Sequence, residues 1–92
     1  ITLEGVLFAL GDPIRMKMVQ QIACGRTANC AEVSATLAAV PLSTRHHHLR
    51  ILRENGLLWS ERKGVEVHNR LRLDELNQRF PGLLEQILKL SK

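Results

Sequence analysis

Apolar residues recur along this chain first at helical spacing, then in alternation, then at helical spacing again. Leu3, Val6, Leu7 and Leu10 fall three or four apart, so residues 2–10 are expected to form a short first helix. A helix so short needs a surface to lie on. Gly11-Asp12-Pro13 punctuates the chain. Asp12 is suited to accept from the free amides of the next turn, and Pro13 fits the first helical position, where its missing N–H costs nothing. Ile14, Met18 and Ile22, with Val19 beside them, mark a second helix over about 13–24, and Gly25 is placed to stop it. A third helix is expected from a cap at Thr27 or Asn29 through about Ala38, with Val33 and Leu37 inward. Its alanines (Ala31, Ala35, Ala38, Ala39) let another helix approach closely, and a turn follows at Ala39-Val40-Pro41.

The stretch from Pro41 to Gly56 is expected to be a helix capped by Ser43 or Thr44, with Leu49 and Leu52 buried. At 100° per residue, position 45 falls on the buried side and position 48 borders it. Ser43, His46, His47, Arg50 and Glu54 occupy the opposite side. Hydroxyl, imidazole and guanidinium groups near the N-terminal half of a helix form a set able to read bases and phosphates. Asn55-Gly56 ends the helix. Leu57-Leu58-Trp59 reads as extended, Glu61-Arg62-Lys63-Gly64 as a turn, and Val65-Glu66-Val67-His68 alternates with period two. Two helices followed by a hairpin with a basic turn make a winged helix-turn-helix pattern, with the recognition helix at about 43–54 and the wing at 57–71. Arg62 and Lys63 at the wing would reach backbone phosphate or the neighbouring minor groove. Helical spacing returns at Leu73, Leu76, Phe80, Leu83, Leu84, Ile87 and Leu88. Pro81 interrupts it, leaving either two short helices or one kinked helix.

The expected fold class is therefore mainly α with a small β-hairpin, with about five to six helices and a two-stranded wing. Ninety-two residues make one domain, 1–92, rather than two. The net charge of +4 is concentrated: residues 41–72 hold seven Lys and Arg against three Glu, while the segments before and after balance to zero. Such focusing suits a polyanion, and with the winged helix-turn-helix pattern the expected partner is double-stranded DNA. No run of eighteen apolar residues is present, so no membrane span is expected. The first residues lack a secretory pattern, and two cysteines do not make a secreted disulfide scaffold, so cytoplasm is the expected location.

Residues 9–15, Ala9-Leu10-Gly11-Asp12-Pro13-Ile14-Arg15, and 43–57, beginning Ser43-Thr44-Arg45-His46-His47-His48-Leu49-Arg50, resemble the ArsR (arsenic-repressor-like) family of winged-helix transcriptional regulators. The Arg62-Lys63-Gly64 hairpin and the closing Arg79-Phe80-Pro81-Gly82-Leu83-Leu84 look like one branch of that family. The resemblance implies a homodimeric repressor on a roughly palindromic operator, with the first and last helices forming the interface. Leu3, Val6, Leu7, Leu10, Leu83, Leu84, Ile87 and Leu88 are then the interface candidates, and Ser43, Thr44, Arg45, His46, His47, His48, Arg50, Arg62 and Lys63 the DNA-binding ones. The family motif carries Thr at position 44, Ser at 46 and His at 48, so His46 departs from it. Position 45 is usually aliphatic and here is Arg45, for which a phosphate contact and a pairing with an acid both stand open.

Many relatives release DNA when a metal binds a Cys-x-Cys pair in the third helix. Here Cys30 and Glu32 occupy those positions, a poor soft-metal set. His46, His47 and His48 point about 100° apart on a helix and do not converge on one ion; a DNA role for two of them, and a structural or phosphate role for His48, is expected instead. No metal or cofactor is expected, and no motif names an effector. If imidazole protonation contributes to DNA contact, affinity is expected to rise below about pH 6.5. Cys24 and Cys30 facing each other across Gly25 would make a thiol switch; two small semi-buried residues are the plainer reading. No phosphate loop, HExxH or nucleophile with a nearby base is present, so no enzyme is expected. The competing function is a protein-interaction module that kept the winged fold and lost DNA binding.

Overall fold

The Thr2 hydroxyl accepts from the Gly5 N–H at 3.0 Å. It thereby satisfies one of the amides that open helix α1, Leu3–Leu10. The computed structural model describes residues 1–25, 27–29, 35 and 37–91, the side chains of 27–29 excepted. Val6, Ala9 and Leu10 turn inward from α1. Asp12 acts as the expected cap, its Oδ1 accepting from the Ile14 N–H at 3.1 Å. Helix α2, Pro13–Gly25, follows and buries Met18, Val19 and Ile22 completely.

Here the chain departs from expectation. Thr27–Asn29 form a strand, β1, antiparallel to the later hairpin with Ala28 opposite Asn69. Thr27 is therefore not a helix cap, because the two residues after it are extended, and a cap at Asn29 would act on residues outside the described ones. Three residues are too few to display a period of two. The remainder of the expected third helix falls mainly on residues 30–34 and 36, outside the described residues.

Helix α3, Leu42–Glu54, starts ahead of the hydroxyl-bearing residues. Pro41 is extended (φ −54°, ψ 144°), and its carbonyl accepts from the Arg45 N–H at 3.0 Å. Ser43 and Thr44 thus lie inside the first turn rather than capping it, and no side chain caps this end. At the other end the Asn55 side-chain amide donates to the Ile51 carbonyl at 2.9 Å. Gly56 then takes a left-handed φ of 80°. A Cβ there would also meet the Ile1 side chain at 2.5 Å, so both conformation and space call for glycine.

Strands β2, Leu58–Lys63, and β3, Glu66–Leu71, pair from Leu58↔Leu71 to Lys63↔Glu66. The turn is only Gly64-Val65, with Gly64 at φ 64°, so Glu61, Arg62 and Lys63 belong to the strand and not to the turn. The sheet order is β1-β3-β2: the expected two-stranded wing with a third short strand added on its inner edge. The chain closes with α4, Leu73–Arg79, and α5, Leu83–Leu90. Two helices, not one kinked helix, result from the Phe80-Pro81-Gly82 break, with Gly82 at φ 76°.

The described residues thus form five helices and a three-stranded sheet, a winged helix-turn-helix architecture. Its core gathers Val6, Leu10, Met18, Val19, Ile22, Leu49, Leu52, Leu57, Leu58, Leu71, Leu76 and Leu84. Helix α5 is tied to α2 by the Gln20 amide, which donates to the Ser91 carbonyl at 3.1 Å and to its hydroxyl at 2.8 Å. This packing corrects the interface candidates. Val6, Leu10 and Leu84 are packed within this chain's own core and have almost no surface left. Leu3 and Leu7 are exposed, while Leu83, Ile87 and Leu88 are half-buried. Phe8 and Leu90, which the helical spacing did not single out, are exposed as well.

Leu52 joins α3 to this core with 0% exposure. Leu52→Ala is expected to lower stability by about 2–5 kcal/mol, seen as a reduced urea midpoint with an unchanged denaturant slope.

Candidate nucleic-acid interface

Helical periodicity places the polar side chains of α3 on an open face. Ser43, His46, His47 and Arg50 are all exposed there, as expected from the wheel. Arg50 lies 3.9 Å from Glu54 one turn on, and both side chains are well solvated, so this pair restrains the guanidinium only weakly. Three other candidates on the same helix lie elsewhere. Thr44 and Arg45 are half-buried. The Arg45 guanidinium turns back toward the residues before the helix, its Nη1 reaching the Leu37 carbonyl at 3.5 Å. Position 45 is thus on the inner side, and its charge is directed at the turn rather than outward.

His48 is turned inward, where its structural role would place it. It is buried, with Nδ1 3.1 Å from Nη1 of Arg15. The ring faces the α1–α2 junction. Burial is the main reason its pKa lies below the ordinary histidine value; the Arg15 and His47 charges lower it further, against a raising effect of Asp12. The histidine tract is therefore split, with two imidazoles outward and one inward. Among the described residues no three His, Cys, Asp or Glu side chains form a metal-sized cluster. Cys24 is exposed on α2, and its expected redox partner Cys30 lies outside the described residues.

The wing carries Arg62 and Lys63, both exposed. Alternation along β2 sends them to opposite faces of the hairpin. Arg62 shares the face of Ser60 and sits opposite Val67, whereas Lys63 shares the face of Trp59 and sits opposite Glu66. Ser60 and Val67, together with Ser43, His46, His47, Leu49, Arg50 and Arg53, line an open cleft of about 580 Å³ between the wing and α3. Arg62 therefore projects from the strand face that borders this cleft.

Arg53 was not among the sequence candidates, although it lies three residues after Arg50 and seven after His46, on the same side. Its Nη1 is 3.4 Å from the Ser60 hydroxyl, which donates at 2.7 Å to Oδ1 of the fully buried Asn69. This relay joins the recognition helix to both wing strands. On the other hairpin face Arg70 stacks over the Trp59 ring at 4.6 Å, a cation–π contact away from the cleft. Arg70 belongs to the basic segment by sequence but not to the candidate surface by geometry.

A family model described as a helix-turn-helix domain matches residues 10–60, from the end of α1 into β2. Among solved structures, the transcriptional repressor PagR of Bacillus anthracis is 26% identical with a TM-score of 0.72, over 98% of this chain and 95% of that one. An ArsR family transcriptional regulator is 20% identical with a TM-score of 0.73, over 98% and 91% of the two chains. The transcriptional repressor BigR from Xylella fastidiosa is 21% identical with a TM-score of 0.68, over 85% of each chain. The last two likenesses are of fold alone. No curated protein sequence matches significantly.

Ser60→Ala removes the hydroxyl that connects Arg53 to Asn69. It is expected to lower stability by about 1 kcal/mol in urea unfolding, and to broaden the Asn69 side-chain amide signals in NMR.

Proposed function

The chain belongs to the helix-turn-helix domain family, and on that premise we propose that it is a DNA-binding transcriptional regulator of the ArsR type. In this reading it acts in the cytoplasm as a homodimeric repressor on a palindromic operator. The observation that carries it is the shared cleft, where the outward face of α3 and the inner face of the wing bring Arg50, Arg53 and two exposed imidazoles together.

Helix α3 enters the major groove with Ser43, His46, His47 and Arg50 toward base edges and flanking phosphates. A guanidinium in this position is suited to guanine O6 and N7, and the hydroxyl and imidazoles to either bases or phosphates. Arg62, on the cleft face, and Lys63, beside the hairpin tip on the other face, reach backbone phosphates, and their contribution is mainly charge neutralisation. Arg45 and His48 position the helix from behind rather than touching DNA.

The dimer is assembled through α1 and α5. Leu3, Leu7 and Phe8 project from α1, and Leu90 from α5 beside the half-buried Ile87 and Leu88. Monomeric proteins seldom leave so apolar a helix face in water. Twofold pairing of these faces would set the two recognition helices about 34 Å apart, one turn of DNA. The description of PagR as a transcriptional repressor supports the repressor role.

Two measurements test the reading. The double variant Arg50→Ala, Arg62→Ala is expected to bind the protein's own upstream DNA more weakly in gel shift, with a log–log salt slope smaller by about 2. Unchanged binding in that variant, or absence of binding by the wild type to any duplex from a random pool, would sink the DNA role. Light scattering at micromolar concentration is expected to give twice 10.4 kDa for the wild type. Leu7→Glu, at a position already half exposed, is expected to give the single mass with unchanged circular dichroism.

A further inference from the structure

Arg15 is 8% exposed and has no acidic partner among its hydrogen bonds. Its Nε donates to the Ala9 carbonyl at 2.7 Å and its Nη2 to the Phe8 carbonyl at 3.2 Å. Both carbonyls belong to the last turn of α1, where intrahelical donors run out and the helix dipole favours a cation. The guanidinium also lies 5.3 Å from the centre of the Phe8 ring. Its remaining arm, Nη1, points at Nδ1 of His48 on the inner face of α3, at 3.1 Å.

The chemistry of this contact fixes a protonation state. A guanidinium has donors only and stays charged, so Nδ1 must be the acceptor and carries no proton. The neutral imidazole then holds its proton on Nε2. A second proton would occupy the lone pair that Arg15 uses and place two positive charges in contact in a buried site.

We infer that Arg15 and His48 are positioning residues for DNA binding: Arg15, clamped on the end of α1, holds the recognition helix through the unprotonated Nδ1 of His48, and α3 is presented at full affinity only while that imidazole is neutral. The inference rests on the DNA-binding reading above and adds to it a physical tie between the proposed dimer helix and the recognition helix. It also explains why the innermost member of the histidine tract is turned away from solvent.

Among the described residues, the charged and titratable groups that act on His48 are Asp12 from the α1–α2 turn, Arg15 from α2 and His47 from its own helix, the last with ring centres 5.6 Å apart. Burial is the largest influence and lowers the pKa below 6.5; Asp12 opposes it, and Arg15 and His47 reinforce it. Asp12 is itself engaged in capping α2 through the Ile14 N–H. A lowered value means that the fold prefers the neutral ring. The tie is therefore intact above about pH 6.5 and is lost as the pH falls through the lowered His48 value.

The test has two arms. In the DNA-free wild type, long-range nitrogen–proton NMR of the imidazoles is expected to find the His48 proton on Nε2 and a titration midpoint below 6.5. A proton on Nδ1 at neutral pH, or a midpoint at or above 6.5, overturns the inference. In the second arm, the affinities of wild type and His48→Asn are compared by fluorescence anisotropy on one labelled duplex, selected from a random pool by the wild type at about pH 7.5. Asparagine keeps an acceptor near the position of Nδ1 but takes no proton, and both proteins retain His46 and His47, whose own response cancels in the ratio. Relative to its own value at pH 7.5, the ratio of wild-type to variant affinity is expected to fall about fivefold when the pH is taken one unit below the His48 midpoint found in the first arm, as a bound state that lowers the ring's pKa by one further unit requires. A ratio that stays constant over this range overturns the positioning role. A pool that yields no duplex overturns the DNA-binding reading and the role with it, whatever tautomer the NMR finds.

Discussion

A guanidinium leaves water only where its N–H groups find acceptors, and Arg15 finds them at two carbonyls that end α1 and at one imidazole on α3. The chain has to turn sharply at Gly11-Asp12-Pro13 for this to happen. Asp12 and Pro13 start α2 at a defined place, and Arg15, in its first turn, is then carried back beneath the helix it has just left. Three helices meet at that side chain. The apolar core around Met18, Val19, Leu49 and Leu52 supplies most of the cohesion. The buried polar contact restricts how those helices can be arranged, since a small slide of α3 would strand a charge.

A second constraint operates at the other end of α3. The alternation of side chains along β2 and β3 divides the hairpin into two faces with different chemistry. Ser60 and Asn69 face Arg53 and hold the wing to the helix, whereas Trp59 and Arg70 stack on each other on the far side. The candidate surface is thus one body, with its helix anchored behind by His48 and its wing anchored beside it by Asn69. A basic residue on this chain contributes to that body according to its strand parity or its helical phase, and the count of charges alone does not distinguish Arg62 from Arg70.

The apolar residues of the terminal helices are divided in a similar way. Val6, Leu10 and Leu84 complete the protomer, while Leu3, Leu7, Phe8 and Leu90 remain outside it. A short helix with apolar residues on two sides covers one of them against its own chain and leaves the other exposed. That is the physical content of the proposed pairing.

Much of this was determined by the order of residues alone. The break at Gly11-Asp12-Pro13, the inward placement of Leu49 and Leu52, the outward one of Ser43, His46, His47 and Arg50, the hairpin and the interruption at Pro81 all follow from local periodicity and backbone chemistry, which act over a few residues. What the tertiary structure decided depends on partners distant in the chain. Strand β1 exists only because β3 lies beside it. Position 48 borders two faces on the helical wheel, and Arg15, 33 residues earlier, pulls its ring inward. Arg45 is drawn to the Leu37 carbonyl, and Arg53 enters the candidate surface through a serine on the wing. The histidine tract on the recognition helix reads as three equal imidazoles in sequence. Packing makes two of them a surface and the third part of the frame that holds it.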